Sequence, residues 1–439
     1  MRSGLAFALG ALAMALLVGE LHCAAPAPPP RAPPRAPETQ HPPPPPRRRQ
    51  GSSPHRRPSP PRSPPKQQQD PPLPPPPPPS LPPAGTVVVP APPQAQDPAP
   101  PAPGRGRRSN SNYSSGCTTI LVLGDSTVDP GNNNRLRTTA KANFPPYGVN
   151  FYGRRPTGRF SNGRLATDML ADQLGIQRMI PGFLDPTLKL GQLRKGVSFA
   201  SAGSGFDDVT ANTLSALPFR RQLWHLWRYK LLIRALLGPR RAERLVNRAA
   251  LVISAGTNDL LLNYIASNQS AAGSIGMLHY ENYLIGRLTN YTQVLRILGG
   301  RRFVFVGLPP IGCLPIARTL LVTGPDGCDG NLNQLAASFN SRLIQLSNFM
   351  NYQPRTRTAY IDTYTLVQAA TENPQSFGFS EVSKGCCGSG MIEVGQTCRG
   401  RRICSDPSKY LYWDAVHPTE RTNQLITGVM LDSIRQIYS

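Results

Sequence analysis

The chain has 439 residues, a formal charge of +24 at pH 7, 51 prolines and 8 cysteines. Between residues 26 and 108, where prolines crowd together, twelve Lys and Arg face only Glu38, Asp70 and Asp97, so this stretch carries +9 of the excess and too little apolar bulk to fold. The other +15 falls outside it, and in a chain that enters the secretory route such charge suits acidic polysaccharide or a membrane surface better than nucleic acid. Residues 113–439 remain as one globular length with ample core.

Taken in chain order, residues 1–24 read as a secretory signal. Arg2 gives the positive start, residues 5–18 the apolar run, and small residues at 23–25 a cleavage point. The run is short for a bilayer span. No transmembrane anchor is expected, and the chain is predicted to be secreted to the extracellular space or cell wall. Residues 25–112 form a proline-rich segment predicted to be disordered or polyproline II. Its basic residues suit acidic wall polysaccharide as a partner and give no reason to invoke nucleic acid. Residues 113–439 form the folded domain.

Within that domain, short continuous apolar runs at 120–123, 197–200, 250–254, 303–306 and 359–361 read as buried strands. Helical patterns fall between them at 222–237, 279–298 and 331–350, with a last one at 420–437 opened by Pro418-Thr-Glu. Strands alternating with helices predict an α/β fold: a parallel sheet sandwiched between helices in three layers, with its site at the carboxyl ends of the strands.

Cysteine usage agrees with an oxidising compartment. Cys23 falls at the signal boundary and Cys117 opens the domain. Cys313, Cys328, Cys386, Cys387, Cys398 and Cys404 are candidates for three disulfides, their pairing open and Cys117 left over. No C-x-x-C pair suggests a zinc site. Asn112, Asn268 and Asn290 head N-glycosylation sequons.

Four segments at strand ends carry the chemistry: Gly124-Asp125-Ser126-Thr127, the run from Ala200 to Gly205, Gly256-Thr257-Asn258-Asp259, and Trp413-Asp414-Ala415-Val416-His417-Pro418. A serine hydroxyl needs a base to take its proton, and the base needs a carboxylate to hold its tautomer and charge. Ser126 is the candidate nucleophile. Asp414 and His417 are its partners, three residues apart so that one compact turn brings the carboxylate under the ring. The oxyanion formed on attack needs donors fixed in advance, for which the N–H groups of Ser126 and Gly203 and the Asn258 amide are the candidates. His225, inside a Trp-rich helix, and His279, near another helix start, read as packing or surface residues. Asp125 reads as a brace for the turn. No G-x-S-x-G or H-E-x-x-H occurs, which argues against the common hydrolase elbow and against one class of zinc hydrolase. This chemistry calls for no metal and no organic cofactor.

On these motifs the chain resembles the plant GDSL esterases/lipases of the SGNH hydrolase superfamily. The matching text is LVLGDSTVDPGNNN (121–134), FPPYGVNFYGRRPTGRFSNGR (144–164), SFASAGSGFDD (198–208), VISAGTNDL (252–260), FVGLPPIGCLP (305–315), KGCCGSG (384–390) and YLYWDAVHPTER (410–421). The proline-rich leader further resembles that of the anther-specific proline-rich members. The resemblance implies a flavodoxin-like SGNH hydrolase fold and hydrolysis of carboxylic esters, and it carries the same roles to Ser126, Gly203, Asn258, Asp414 and His417. One position departs: Thr127 stands where the family's name motif has leucine, which is expected to alter packing or pocket shape and leave the triad alone. The substrates this implies are acyl lipids, cutin- or wax-like esters, or acylated wall polysaccharide. Trp224 and Trp227 are assigned to core packing ahead of an acyl pocket. The competing reading is a wall-associated proline-rich structural or binding protein with little or no catalysis, which has no chemical need of the five catalytic positions together.

Overall fold

The computed structural model describes residues 116–266, 271–321 and 327–439. The signal and proline-rich segments, Cys23 and the sequons at Asn112 and Asn268 lie outside the described residues. Four parallel strands, β1 (Ile120–Gly124), β2 (Ala250–Ser254), β3 (Arg302–Val306) and β4 (Arg357–Ile361), pair in that order. The expected strand at 197–200 also lies along β1. Val122 N–H donates to Val197 O (3.0 Å), and Phe199 N–H donates to Val122 O (2.8 Å). Its pairing with β1 reaches only an isolated bridge at Ser198, because the next rung is lost where Gly124 N–H goes to the Gln222 side chain; the 198, 200 and 202 carbonyls point away from β1 and are taken by Asn132 and Asn133. Counting that edge, the spatial order is the doubly wound one, with the reversal of order beside β1.

Alternation along the strands explains why the central ones are so apolar. Leu121, Leu123, Leu251, Ile253, Phe303 and Phe305 share one core. Over them lie helices α2 (Phe219–Leu237), α3 (Pro239–Arg248), α4 (Thr257–Ala266), α5 (Ala271–Ile297) and α6 (Gly330–Asn351). Ile120, Val122, Ala250, Val252 and Val304 face the other way, onto α1 (Ala166–Gln173) and α8 (Glu420–Tyr438). With both faces covered, each residue of β1 and β2 is buried whichever way it points, while the edge strand β4 stays half-exposed. This is the three-layer α/β SGNH fold.

The chain after β4 runs through α7 (Thr363–Glu372) and then builds a second, two-stranded parallel sheet, β5 (Glu381–Gly385) with β6 (Tyr410–Tyr412). Between them, 386–409 has almost no regular structure and holds two disulfides, Cys386–Cys404 and Cys387–Cys398; the third, Cys313–Cys328, closes the loop ahead of α6. All six expected cysteines are thus paired, and Cys117 is a buried free thiol. Among the described residues, no helix is long and apolar enough to cross a membrane.

Candidate active site

The end of β1 explains the first motif. Gly124 has φ of 151°, a region that disfavours side chains, and a Cβ there would run into Ser254 O. Its N–H and carbonyl are both held by the buried Gln222 amide (2.9 and 2.8 Å), which fixes the turn that lifts Ser126 off the strand. Sequence reasoning missed Gln222, which looks like any polar residue of a helix. Asp125 is buried and accepts from Thr127 N–H (2.9 Å) and Thr127 Oγ1 (2.7 Å), so it braces the turn; burial pushes its carboxyl up. Thr127 Oγ1 also meets Ser254 Oγ (2.9 Å), a contact that a leucine there could not make.

Across the cleft, 413–417 folds into the compact turn expected of D-x-x-H. Asp414 Oδ1 accepts from the backbone N–H of Val416 (2.9 Å) and His417 (2.8 Å), and Trp413 N–H donates to His417 O (2.7 Å). His417 Nδ1 lies 2.8 Å from both carboxylate oxygens of Asp414, and its Nε2 lies 2.7 Å from Ser126 Oγ. A carboxylate can only accept, so Nδ1 carries the proton and Nε2 presents a lone pair to the serine. Ser126, Asp414 and His417 are all buried.

The two remaining expected residues are placed differently. Asn258, in the first turn of α4, lines the same cleft as Ser126; its Nδ2 spends one hydrogen on Ser204 O (2.9 Å) and keeps a second. Gly203 lies outside the cleft lining, on the 201–205 loop. Ser201 N–H ties that loop to Gly124 O (3.0 Å). With φ of 82°, Gly203 has no room for a Cβ against Leu214. Asp259 holds the same loop by accepting from Phe206 N–H (2.7 Å) and Asp207 N–H (3.3 Å); burial raises its carboxyl to about 7. Asp129, raised by burial to about 6, does similar work by accepting from Gly131, Asn132 and Ala202 N–H.

The residues expected to lie elsewhere do so. His225 is buried against Phe183 and Trp224, and burial lowers it to about 4; His279 is exposed. Trp224 and Trp227 line no part of the cleft, but only Trp227 packs on the core as expected; Trp224 is half-buried between Arg221 and Arg228, outside the core. Asn290, the sequon within the described residues, is exposed on α5.

A cavity of about 920 Å³, its open mouth included, starts at Ser126 and is lined mainly by apolar residues. Val306, Leu308, Pro309 and Leu314 border it, together with Ile426 and Met430 of α8. Thr422 and Met430 are eight positions apart, so the lining follows α8 for about 12 Å at helical rise.

A parallel α/β sandwich with a serine, a histidine and a carboxylate in hydrogen-bonding sequence above an apolar cleft is the arrangement of a hydrolase. The profile of the GDSL-like Lipase/Acylhydrolase family matches residues 120–427. A GDSL esterase/lipase of Arabidopsis thaliana is 43% identical over 73% of this chain and 89% of its own length. A second from the same plant is 37% identical over 72% of this chain and 90% of its own. The chain belongs to the GDSL esterase/lipase family, and it is a carboxylic ester hydrolase.

Proposed function

We propose that this enzyme is secreted and cleaves its esters through an acyl-enzyme on Ser126. The observation that carries the reading is the 2.7 Å contact between Ser126 Oγ and His417 Nε2, made across 291 residues of sequence at the head of an apolar cleft. Ser126 Oγ attacks the ester carbonyl while Nε2 takes its proton, and Asp414 holds the resulting imidazolium. The tetrahedral oxyanion accepts from the N–H groups of Ser126 and Gly203 and from Asn258 Nδ2. Collapse expels the alcohol, which leaves with the proton from Nε2, and water then enters by the same route to release the acid.

The apolar lining supports an acyl group of some length, as in acyl lipids and cutin- or wax-like esters, ahead of acetylated polysaccharide. Three disulfides and the signal-like start support the secretory route. The proline-rich segment would then hold the enzyme on acidic wall polysaccharide near an insoluble substrate. Hydrolysis of a chain-length series of p-nitrophenyl esters, wild type beside Ser126→Ala, tests the reading. Turnover that rises with chain length and then falls, together with a loss of about 10⁶-fold in the variant, is expected. Equal activity in the two proteins would remove Ser126 as nucleophile.

A further inference from the structure

The motif at 144–164 has no part in the chemistry above, yet it forms the socket of the Asp414–His417 turn. Phe160 lies against the His417 ring (centroids 4.7 Å apart), Ser161 Oγ donates to Pro418 O (3.3 Å), and Asn162 Oδ1 accepts from Glu420 N–H (2.8 Å). Most direct is Tyr147, whose Oη lies 2.7 Å from Asp414 Oδ2 although 267 residues separate the two in sequence.

We propose that Tyr147 is a positioning residue for the catalytic carboxylate, a proposal that rests on the Ser126–His417–Asp414 reading above. The direction of its hydrogen bond is forced. Gly395 N–H, 2.7 Å away, can only donate to Oη and so occupies a lone pair of the phenol. The phenol's one proton therefore goes to Asp414, which as a carboxylate can only accept. Burial and the neighbouring Asp414 charge both raise the Tyr147 hydroxyl, so it keeps that proton at working pH.

The ring has little freedom. Tyr147 is 1% exposed and sits edge-on to Phe144, Phe160 and Trp413. Gly395 belongs to the loop closed by the Cys387–Cys398 disulfide, so a covalently closed loop aims the phenol. Among the described residues the carboxylate has no Arg or Lys ion pair, and His417 is its one basic partner. Its charge is thus held by the Val416 and His417 N–H groups, the imidazole and the Tyr147 hydroxyl. Removing the hydroxyl leaves Oδ2 with the imidazole as its one remaining partner, and Asp414 then holds the imidazole in a looser geometry. The step that suffers is proton transfer, while ester binding, which takes place across the cleft, is untouched.

Tyr147→Phe keeps the ring and removes only the hydroxyl. The expected result on a p-nitrophenyl ester is a fall in kcat of about tenfold with KM unchanged, and a shift of the low-field proton resonance of His417 Nδ1–H. In the Tyr147→Phe/Asp414→Asn double variant, the tyrosine change should cost little more than Asp414→Asn alone, because its acceptor has gone. Met350→Ala serves as the stability control: it empties core on α6, away from the cleft and the Tyr147 socket, and should lower Tm with kcat retained. A Tyr147→Phe enzyme within twofold of wild type with an unmoved resonance overturns the proposal. So does a Met350→Ala enzyme with the same kcat loss, or full additivity in the double variant. Ser126→Ala, run alongside, separates the two levels: residual turnover there would sink the triad reading itself. A dead Ser126→Ala beside an unaffected Tyr147→Phe removes only the role given to Tyr147.

Discussion

Ser126 stands at the end of a sheet strand, whereas Asp414 and His417 stand on a turn between the three-residue β6 and α8, and the two places are held by different means. The strand end is fixed by parallel pairing on both sides of β1 and by buried Asp125, Asp129, Gln222, Asn132 and Asn133, each satisfying backbone groups. The turn has little regular structure to lean on. It is stitched by Cys386 N–H and Cys387 N–H to the carbonyls of Tyr412 and Trp413, by Ala415 N–H to Glu393 O, and by two disulfides beneath. A sheet end is rigid because its neighbours are; an irregular lobe needs covalent closure and an aromatic socket to reach comparable order.

Apart from the nucleophile itself, the largest effect should come from the turn. Asp414→Asn leaves the shape but offers Nδ1 a donor or a weak acceptor in place of a carboxylate, and kcat is expected to fall about 10⁴-fold. Steady-state kinetics beside an unchanged circular dichroism spectrum checks it; a loss under tenfold would mean that the carboxylate is not needed. On the sheet side, Asn258→Ala removes a side-chain donor from the cleft and should lower kcat about 10²- to 10³-fold with little change in KM. An effect on KM alone would assign Asn258 to ester binding instead of the oxyanion.

The scaffolds can be compared in the same way. Replacing Cys387 and Cys398 together by serine opens the loop that carries Gly395 and should lower stability by about 2–4 kcal/mol. Activity should drop well before the sheet melts, which denaturation followed by activity and by far-ultraviolet dichroism would resolve; coincident curves would show one cooperative unit.

The smallest effect belongs to Asp259, which anchors the Gly203 loop. Its folded-state pKa, about 7, lies above that of an unfolded aspartate, so its contribution to stability is present at acid pH and is lost as pH rises through about 7. Asp259→Asn should flatten that limb of the Tm–pH curve between pH 4 and 8. Parallel curves for the two proteins would show that the carboxyl does not titrate in that window.

Much of this was legible in the residues. Runs such as Ile120-Leu-Val-Leu and Ala250-Leu-Val-Ile announce strands covered on both faces, and Pro418-Thr-Glu marks the start of α8, where Thr419 caps the helix by accepting from Thr422 N–H. The β5–β6 pair was not legible, because Glu381-Val-Ser-Lys-Gly is half exposed and shows no continuous apolar run. The segment at 197–200 has the composition of a strand, but its ladder to β1 stops where the Gln222 side chain takes the Gly124 N–H, a competition that no local pattern displays.

The sequence by itself determined the class of fold, the compact D-x-x-H turn and the candidate Ser126, Asp414 and His417. Those follow from local periodicity and from residue types whose chemistry has few other uses. Only the tertiary structure decided which cysteines pair, that Gln222 clamps Gly124, that Thr127 bonds Ser254, and that Tyr147 reaches Asp414. Each of these joins side chains or loops that are distant in sequence or have several partners of equal merit, and their choice is made by how the packed layers bring the chain together.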